Sequence, residues 1–257
     1  MHQRTRGPRR PAVMLLVLGA VLLFAGLLRA AEPDRVVRTI KQFTQIYFVS
    51  RVWEKTTWLG VNSFQTPTDN WAMQEILVEQ KPDFVVETGT RNGGTALYYA
   101  SILSLLGSDG KVITVDIEPH VDQAAQHDLF RQRVQVITGS STAPEVIEAI
   151  TKQVKGRRVL VTLDSLHTKD HVLKEMELYA PLVTEGSYLV VQDTIASKNP
   201  LFPSFRESGG PMEAVDEFLK THPEFVVDDE REKFLLTFYP RGYLRKTGPS
   251  PRPASGS

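Results

Sequence analysis

Short apolar runs alternate with longer amphipathic stretches from Phe84 onward. Phe84–Glu87, Val112–Asp116, Val134–Ile137, Val159–Leu163 and Tyr188–Gln192 are rich in β-branched residues, which predicts strands. Gly94–Leu106, Val121–Phe130, Pro144–Val154, Thr168–Leu182 and Gly210–Thr221 carry the helical spacing. Alternation of this kind predicts a mostly parallel sheet with helices on both faces, a doubly wound α/β fold. Two later runs, Phe225–Val227 and Phe234–Tyr239, flank the charged stretch Asp228 to Lys233 and read as a terminal antiparallel hairpin. Five βα units plus a hairpin give a seven-stranded, Rossmann-like sheet. Upstream, Val36 to Lys55 repeats apolar residues at helical spacing. Asp69 is the expected N-cap of a helix that runs to Gln80 and stops at Pro82.

The expected boundaries follow: a basic and apolar segment over 1–31, a helical extension over 32–80, the catalytic domain over 81–242 and a disordered tail over 243–257. Ala12–Leu28 is apolar throughout and follows Arg4, Arg6, Arg9 and Arg10. Its length suits either a membrane anchor or the core of a secretory signal. Arg29-Ala30-Ala31 is a poor cleavage site, so the expectation is membrane association through an uncleaved segment. Its orientation is open, and a true start downstream, such as Met14, is a further alternative. The 30 basic and 30 acidic residues balance, and 41% of the chain is hydrophobic. That balance gives no basis for a nucleic-acid partner. The chain contains no cysteine, which excludes disulfides, thiolate metal sites and a cysteine nucleophile. Association into a homo-oligomer is left open.

Candidate chemistry gathers at the ends of the predicted strands. The first strand runs into Glu87-Thr88-Gly89-Thr90-Arg91-Asn92-Gly93-Gly94, and the second ends on Asp116. A glycine-rich turn at a strand end suits a nucleoside-like ligand, with Asp116 placed for ribose hydroxyls. The glycine spacing differs from the dinucleotide fingerprint, and Glu87 would repel a phosphate. It suits a cationic ligand such as S-adenosylmethionine. Gly89 and Gly93 leave room for close backbone approach. The fourth strand ends in Asp164-Ser165-Leu166-His167 and the fifth in Gln192-Asp193. Asp164, Gln192 and Asp193 are oxygen donors of the kind that bind Mg²⁺. His167, one short turn past Asp164, could take a proton from a hydroxyl. The rival readings are structural: Asp164 or Asp193 as caps, His167 as a helix-start residue. His120, His127, His171 and His222 read as surface or structural, and Trp53, Trp58 and Trp71 as packing residues. A substrate role stays open for Trp71.

These residues resemble the cephalosporin hydroxylase / rhamnosyl O-methyltransferase family. The likeness covers roughly 57–239. It rests on Thr57-Trp58-Leu59-Gly60, Pro67-Thr68-Asp69-Asn70-Trp71, Gln74-Glu75-Ile76, Glu87-Thr88-Gly89-Thr90, Asp164-Ser165-Leu166-His167 and Gly186-Ser187-Tyr188-Leu189-Val190-Val191-Gln192-Asp193-Thr194. The resemblance implies an S-adenosylmethionine-dependent methyltransferase acting on a small-molecule or lipid-linked sugar hydroxyl. It implies metal ligation by Asp164, Gln192 and Asp193 and His167 as base. Glu87, Gly89, Gly93 and Asp116 would then hold the cofactor, with Ser140 and Ser141 beside its adenine. Gln192 replaces an acid, and Leu166 stands where relatives often carry a second Asp; both weaken the metal expectation. The alternatives are a catalytically weakened, membrane-tethered cofactor-binding protein and a hydroxylase. Non-haem iron, however, needs two histidines and a carboxylate.

Overall fold

The computed structural model describes residues 35–198 and 208–248. The chain divides into two compact units, 1–49 and 50–257. Within the described part of the first lies a single helix, α1 (35–49), which exposes Val36, Val37, Phe43, Ile46 and Val49. Among the described residues no helix is long and apolar enough to cross a membrane, and Ala12–Leu28 lies outside them. The expectation of membrane association is corrected accordingly.

The second unit opens with a small antiparallel ribbon, β1 (Thr57–Trp58) and β2 (Val61–Asn62), followed by α2 (Pro67–Gln80). The order continues with β3 (Phe84–Thr88), α3 (Gly94–Leu105), β4 (Lys111–Asp116), α4 (Asp128–Arg133), β5 (Val134–Thr138), α5 (Pro144–Val154), β6 (Val159–Leu163), α6 (Lys169–Tyr179), β7 (Tyr188–Val191), α7 (Pro211–Thr221), β8 (Phe225–Val227) and β9 (Tyr243–Lys246). The large sheet has seven strands in the order β5-β4-β3-β6-β7-β9-β8. Pairing is parallel from β5 to β7, and β9 runs antiparallel to both β7 and β8. The doubly wound α/β expectation therefore holds.

Strands buried on both faces read as unbroken apolar runs, which is why β3, β6 and β7 are so plain in the sequence. One face packs Val86, Ile113, Val161 and Leu189 against Ile150 of α5, Met176 of α6 and Phe218 of α7. Helix α3 is apolar around most of its circumference and buries ten of its residues. Connections leave β3 toward β4 on one side and return to β6 on the other, so the strand order reverses between β3 and β6. Loops splay apart at such a switch point and leave a crevice outside the carboxyl ends of the strands.

Four local expectations change. Thr66, not Asp69, caps α2: its hydroxyl accepts from the Asp69 N–H at 3.1 Å, and Pro67 takes the first helical position. The stretch 121–130 gives a 3-10 turn (Ala124–Gln126) and the start of α4 rather than one helix. Pro181 closes α6 at Tyr179, and Ala180–Leu182 tightens into a 3-10 turn. The hairpin partner of β8 is β9 at Tyr243–Lys246, inside the stretch expected to be a disordered tail, whereas Phe234–Tyr239 forms no strand.

Candidate active site

Register brings the carboxyl ends of the central strands level. Glu87 pairs with Thr114 on one side and Thr162 on the other, and Leu163 pairs with Val191. Side chains just past these positions therefore share one rim.

Glu87 is 1% exposed. Its Oε2 accepts from the Thr114 hydroxyl at 2.6 Å, and its Oε1 has no partner among the described residues. Burial pushes its carboxyl up to about 8, with Thr114 opposing and Asp116 adding repulsion. A buried carboxylate oxygen without a donor is costly unless a ligand supplies one. Asp116 holds the turn: its Oδ2 accepts from the Arg91 N–H at 2.8 Å and its Oδ1 from the Glu118 N–H at 2.9 Å. Gly89 has φ +86°, and a Cβ there would lie 1.8 Å from the Asp164 carbonyl oxygen. This glycine lets the β3 turn abut the end of β6; close approach is to protein backbone. Gly93, at φ +78°, starts α3 against the Phe130 ring.

Asp164, His167 and Asp193 converge. One ligand atom from each lies within 4.8 Å of the others. His167 Nε2 is 3.3 Å from Asp193 Oδ2 and 3.9 Å from Asp164 Oδ1. Burial, then Asp193 and Glu87, hold the Asp164 carboxyl well above the usual range. Burial also raises Asp193, while His167 and Arg91 oppose it. Each acid keeps a quarter or so of its side chain exposed, 23% and 30%, so the trio faces outward. Asp193 sits at φ +53°, a left-handed conformation that Asp tolerates better than most residues. Two acids that resist ionisation together make a site short of positive charge.

Gln192, the third expected oxygen donor, precedes Asp193 and lies in a buried hydrogen-bond network. It is 1% exposed and its amide is saturated. Nε2 donates to Thr162 Oγ1 at 2.7 Å and to the Tyr99 hydroxyl at 3.5 Å. Oε1 accepts from the Tyr239 hydroxyl at 2.6 Å and from Gln65 Nε2 at 2.7 Å. Ser140 and Ser141 lie past β5. Ser141 is buried, and its Oγ is 3.4 Å from His171 Nε2. His171 also meets Ser165 Oγ at 3.0 Å and Glu175 Oε1 at 3.4 Å. His171 thus joins Ser141, Ser165 and Glu175 in a partly buried polar cluster. Trp58 donates to Ser101 Oγ and packs edge-on against Tyr98; Trp53 packs edge-on against Phe238. Trp71 is exposed.

Gln65 is the residue that sequence reasoning missed. It precedes the α2 cap, yet its Nε2 also reaches Asp164 Oδ2 at 3.2 Å, across 99 positions of chain. Nothing in its neighbourhood in the sequence signals that contact. Arg91, whose guanidinium stacks 3.8 Å over the Phe64 ring, could have been noted as the cation inside the glycine-rich turn.

A family model described as Rhamnosyl O-methyltransferase/CmcI matches residues 50–247. A rhamnosyl O-methyltransferase of Mycobacterium tuberculosis is 38% identical over 243 residues, spanning 91% of this chain and 96% of that one. Its counterpart from Mycobacterium leprae is 36% identical over 210 residues, 79% and 89% of the two chains. A solved CmcI structure described as a Mg–SAM form superposes with a TM-score of 0.58 at 18% identity, covering 76% of this chain and 78% of that one. A CmcI apo-structure gives 0.54 over 76% and 77%. At these identities the solved structures speak for the fold. The match over 50–247 and the 38% relatives together place the chain in the rhamnosyl O-methyltransferase/CmcI family, among the O-methyltransferases.

Proposed function

We propose that the protein transfers a methyl group from S-adenosylmethionine to a hydroxyl of a sugar, with the rim residues dividing the work. The observation that carries this is the unpartnered, buried Oε1 of Glu87 on the same rim as the Asp164, His167 and Asp193 trio. An ammonium group would satisfy that oxygen and draw Glu87 into its charged form. Asp116 would take the ribose hydroxyls while keeping its two backbone donors, since each carboxylate oxygen has a second lone pair. Gly89 and Gly93 shape the turn, and Ser140 and Ser141 would border the adenine. Support for a sugar acceptor comes from the names of the curated relatives.

Asp164 and Asp193 would hold a divalent cation, and their raised carboxyls fit a site that lacks a counter-charge. When bound, S-adenosylmethionine supplies an already activated methyl group and Mg²⁺ a Lewis acid for the acceptor oxygen. The chain's own task is then alignment and proton removal. His167 would accept the acceptor's proton at Nε2, and Asp193 at 3.3 Å would stabilise the resulting imidazolium. A second reading, favoured by the 4.8 Å grouping, makes His167 a third metal ligand.

His167→Ala separates the two. As a base, its loss lowers kcat roughly 10²–10⁴-fold with Mg²⁺ affinity intact; as a ligand, it takes Mg²⁺ affinity down with it. Calorimetry of the variant with Mg²⁺ alone gives the answer. Full activity in His167→Ala would remove both roles.

A further inference from the structure

The loop between β2 and α2 lies against the switch point of the sheet. The Ser63 carbonyl accepts from Thr95 Oγ1 at 3.1 Å, and the Gln65 carbonyl accepts from Thr56 Oγ1 at 2.8 Å. Gln65 is thereby anchored, and it is 5% exposed. Both donated bonds of its amide go to the site: 3.2 Å to Asp164 Oδ2 and 2.7 Å to Gln192 Oε1. Gln192 is itself fixed by Thr162 and Tyr239. The result is a neutral buried chain, Tyr239 to Gln192 to Gln65 to Asp164, that ends on one oxygen of one carboxylate. Asp164 Oδ1 is the oxygen that faces His167.

An amide at this place does something that neither a cation nor an apolar side chain could. A lysine would neutralise Asp164 and compete with any bound cation. A leucine would take the Gln65 donor from Oδ2 and leave the carboxylate free to turn. The amide orients the carboxylate without cancelling its charge. We propose that Gln65 is a positioning residue for methyl transfer: its amide pins Asp164 Oδ2, so that Oδ1 stays turned toward His167 and Asp193. This rests on the reading that Asp164 serves the reaction. It extends the site to a loop outside the βα units, in the stretch the sequence assigns to a helical extension.

The test is Gln65→Leu in the full chain, read three ways: calorimetry with Mn²⁺ alone, kcat and cofactor KM with methyl α-rhamnoside as acceptor, and a crystal structure. The expected result is a rotated Asp164 carboxylate and a kcat at least tenfold lower. Mn²⁺ affinity should fall in parallel, and cofactor KM should stay within threefold. Gln65→Asn, one methylene too short to reach both partners, should give the same pattern if the leucine variant does not fold. An Asp164 carboxylate that keeps its orientation overturns the proposal, as does a kcat within twofold of the parent. A cofactor KM that rises as steeply as kcat falls also overturns it, because a general packing role predicts that. If the parent chain binds no Mn²⁺, the metal part of the preceding reading fails and Asp164's orientation with kcat decides on Gln65. If the parent does not methylate the rhamnoside, the acceptor reading fails and the orientation of Asp164 decides alone.

Discussion

Glu87 concentrates the electrostatic argument in one side chain. Its carboxyl, raised to about 8 by burial, binds more protons folded than unfolded. Its contribution to stability is therefore greatest at low pH and is lost as pH climbs from about 4 through about 8. Cofactor binding runs the other way. An ammonium group favours the ionised form, so binding releases a proton below about pH 8. Affinity for S-adenosylmethionine should rise with pH, by up to about tenfold per unit, and level off near 8. Glu87→Gln should flatten this dependence and weaken binding roughly 10- to 150-fold, the equivalent of losing a charged hydrogen bond of about 1.5–3 kcal/mol. Titration calorimetry at several pH values measures both effects; an unchanged pH profile in the variant would take Glu87 out of the cofactor site. Gly89 makes a sterically sharper case. At φ +86°, with a backbone oxygen 1.8 Å from a built Cβ, Gly89→Ala should cost at least about 2 kcal/mol. Thermal unfolding would show it, and a variant as stable as the parent would mean that the β3 turn and the end of β6 can separate freely.

At the scale of elements, what the sequence reveals depends on how local the cause is. Strands β3, β6 and β7 are legible because burial on both faces demands continuous apolar runs. The rim acids are legible because each lies at or within two residues of the end of its own strand. Strand β9 is not, since Tyr243–Lys246 carries two charged residues. Lys246 is buried only because its Nζ donates to the Ala180 and Val183 carbonyls at 3.0 and 2.8 Å. Phe234–Tyr239 has the composition of a strand, yet its polar groups are claimed by a distant helix. Asp69, in the first turn of α2, accepts from the Thr237 hydroxyl at 2.5 Å, the Phe238 N–H at 2.9 Å and the Tyr243 hydroxyl at 2.9 Å. Those contacts span more than 160 positions, and no window of sequence contains them. Burial raises the Asp69 carboxyl to about 6 despite these donors. It therefore binds more protons folded than unfolded between about pH 4 and about pH 6, and its contribution falls across that window. Asp69→Asn should remove that part of the pH dependence, visible in urea midpoints at pH 4.5 and 7. A slope identical to the parent's would mean that Asp69 ionises freely.

Across the whole molecule, one sheet reversal between β3 and β6 does the organising. It sets a buried carboxylate, one oxygen of which has no partner among the described residues, on the same rim as an outward trio of two acids and a histidine, and Gln65 of the β2–α2 loop reaches that trio at Asp164. Ser165 and His171, one residue past Asp164 and four past His167 in the chain, meet each other and Glu175 instead. Among the described residues the grouped trio holds one histidine, which leaves the two-histidine iron set of a hydroxylase without its second member. The most direct measurement is transfer of radiolabelled methyl from S-adenosylmethionine to methyl α-rhamnoside by the full chain, with chelator and with Mg²⁺ restored. The account predicts a labelled sugar whose formation stops with chelator and returns with Mg²⁺. Labelling that ignores the metal, or a bound cofactor that never gives up its methyl group to the sugar, would contradict it.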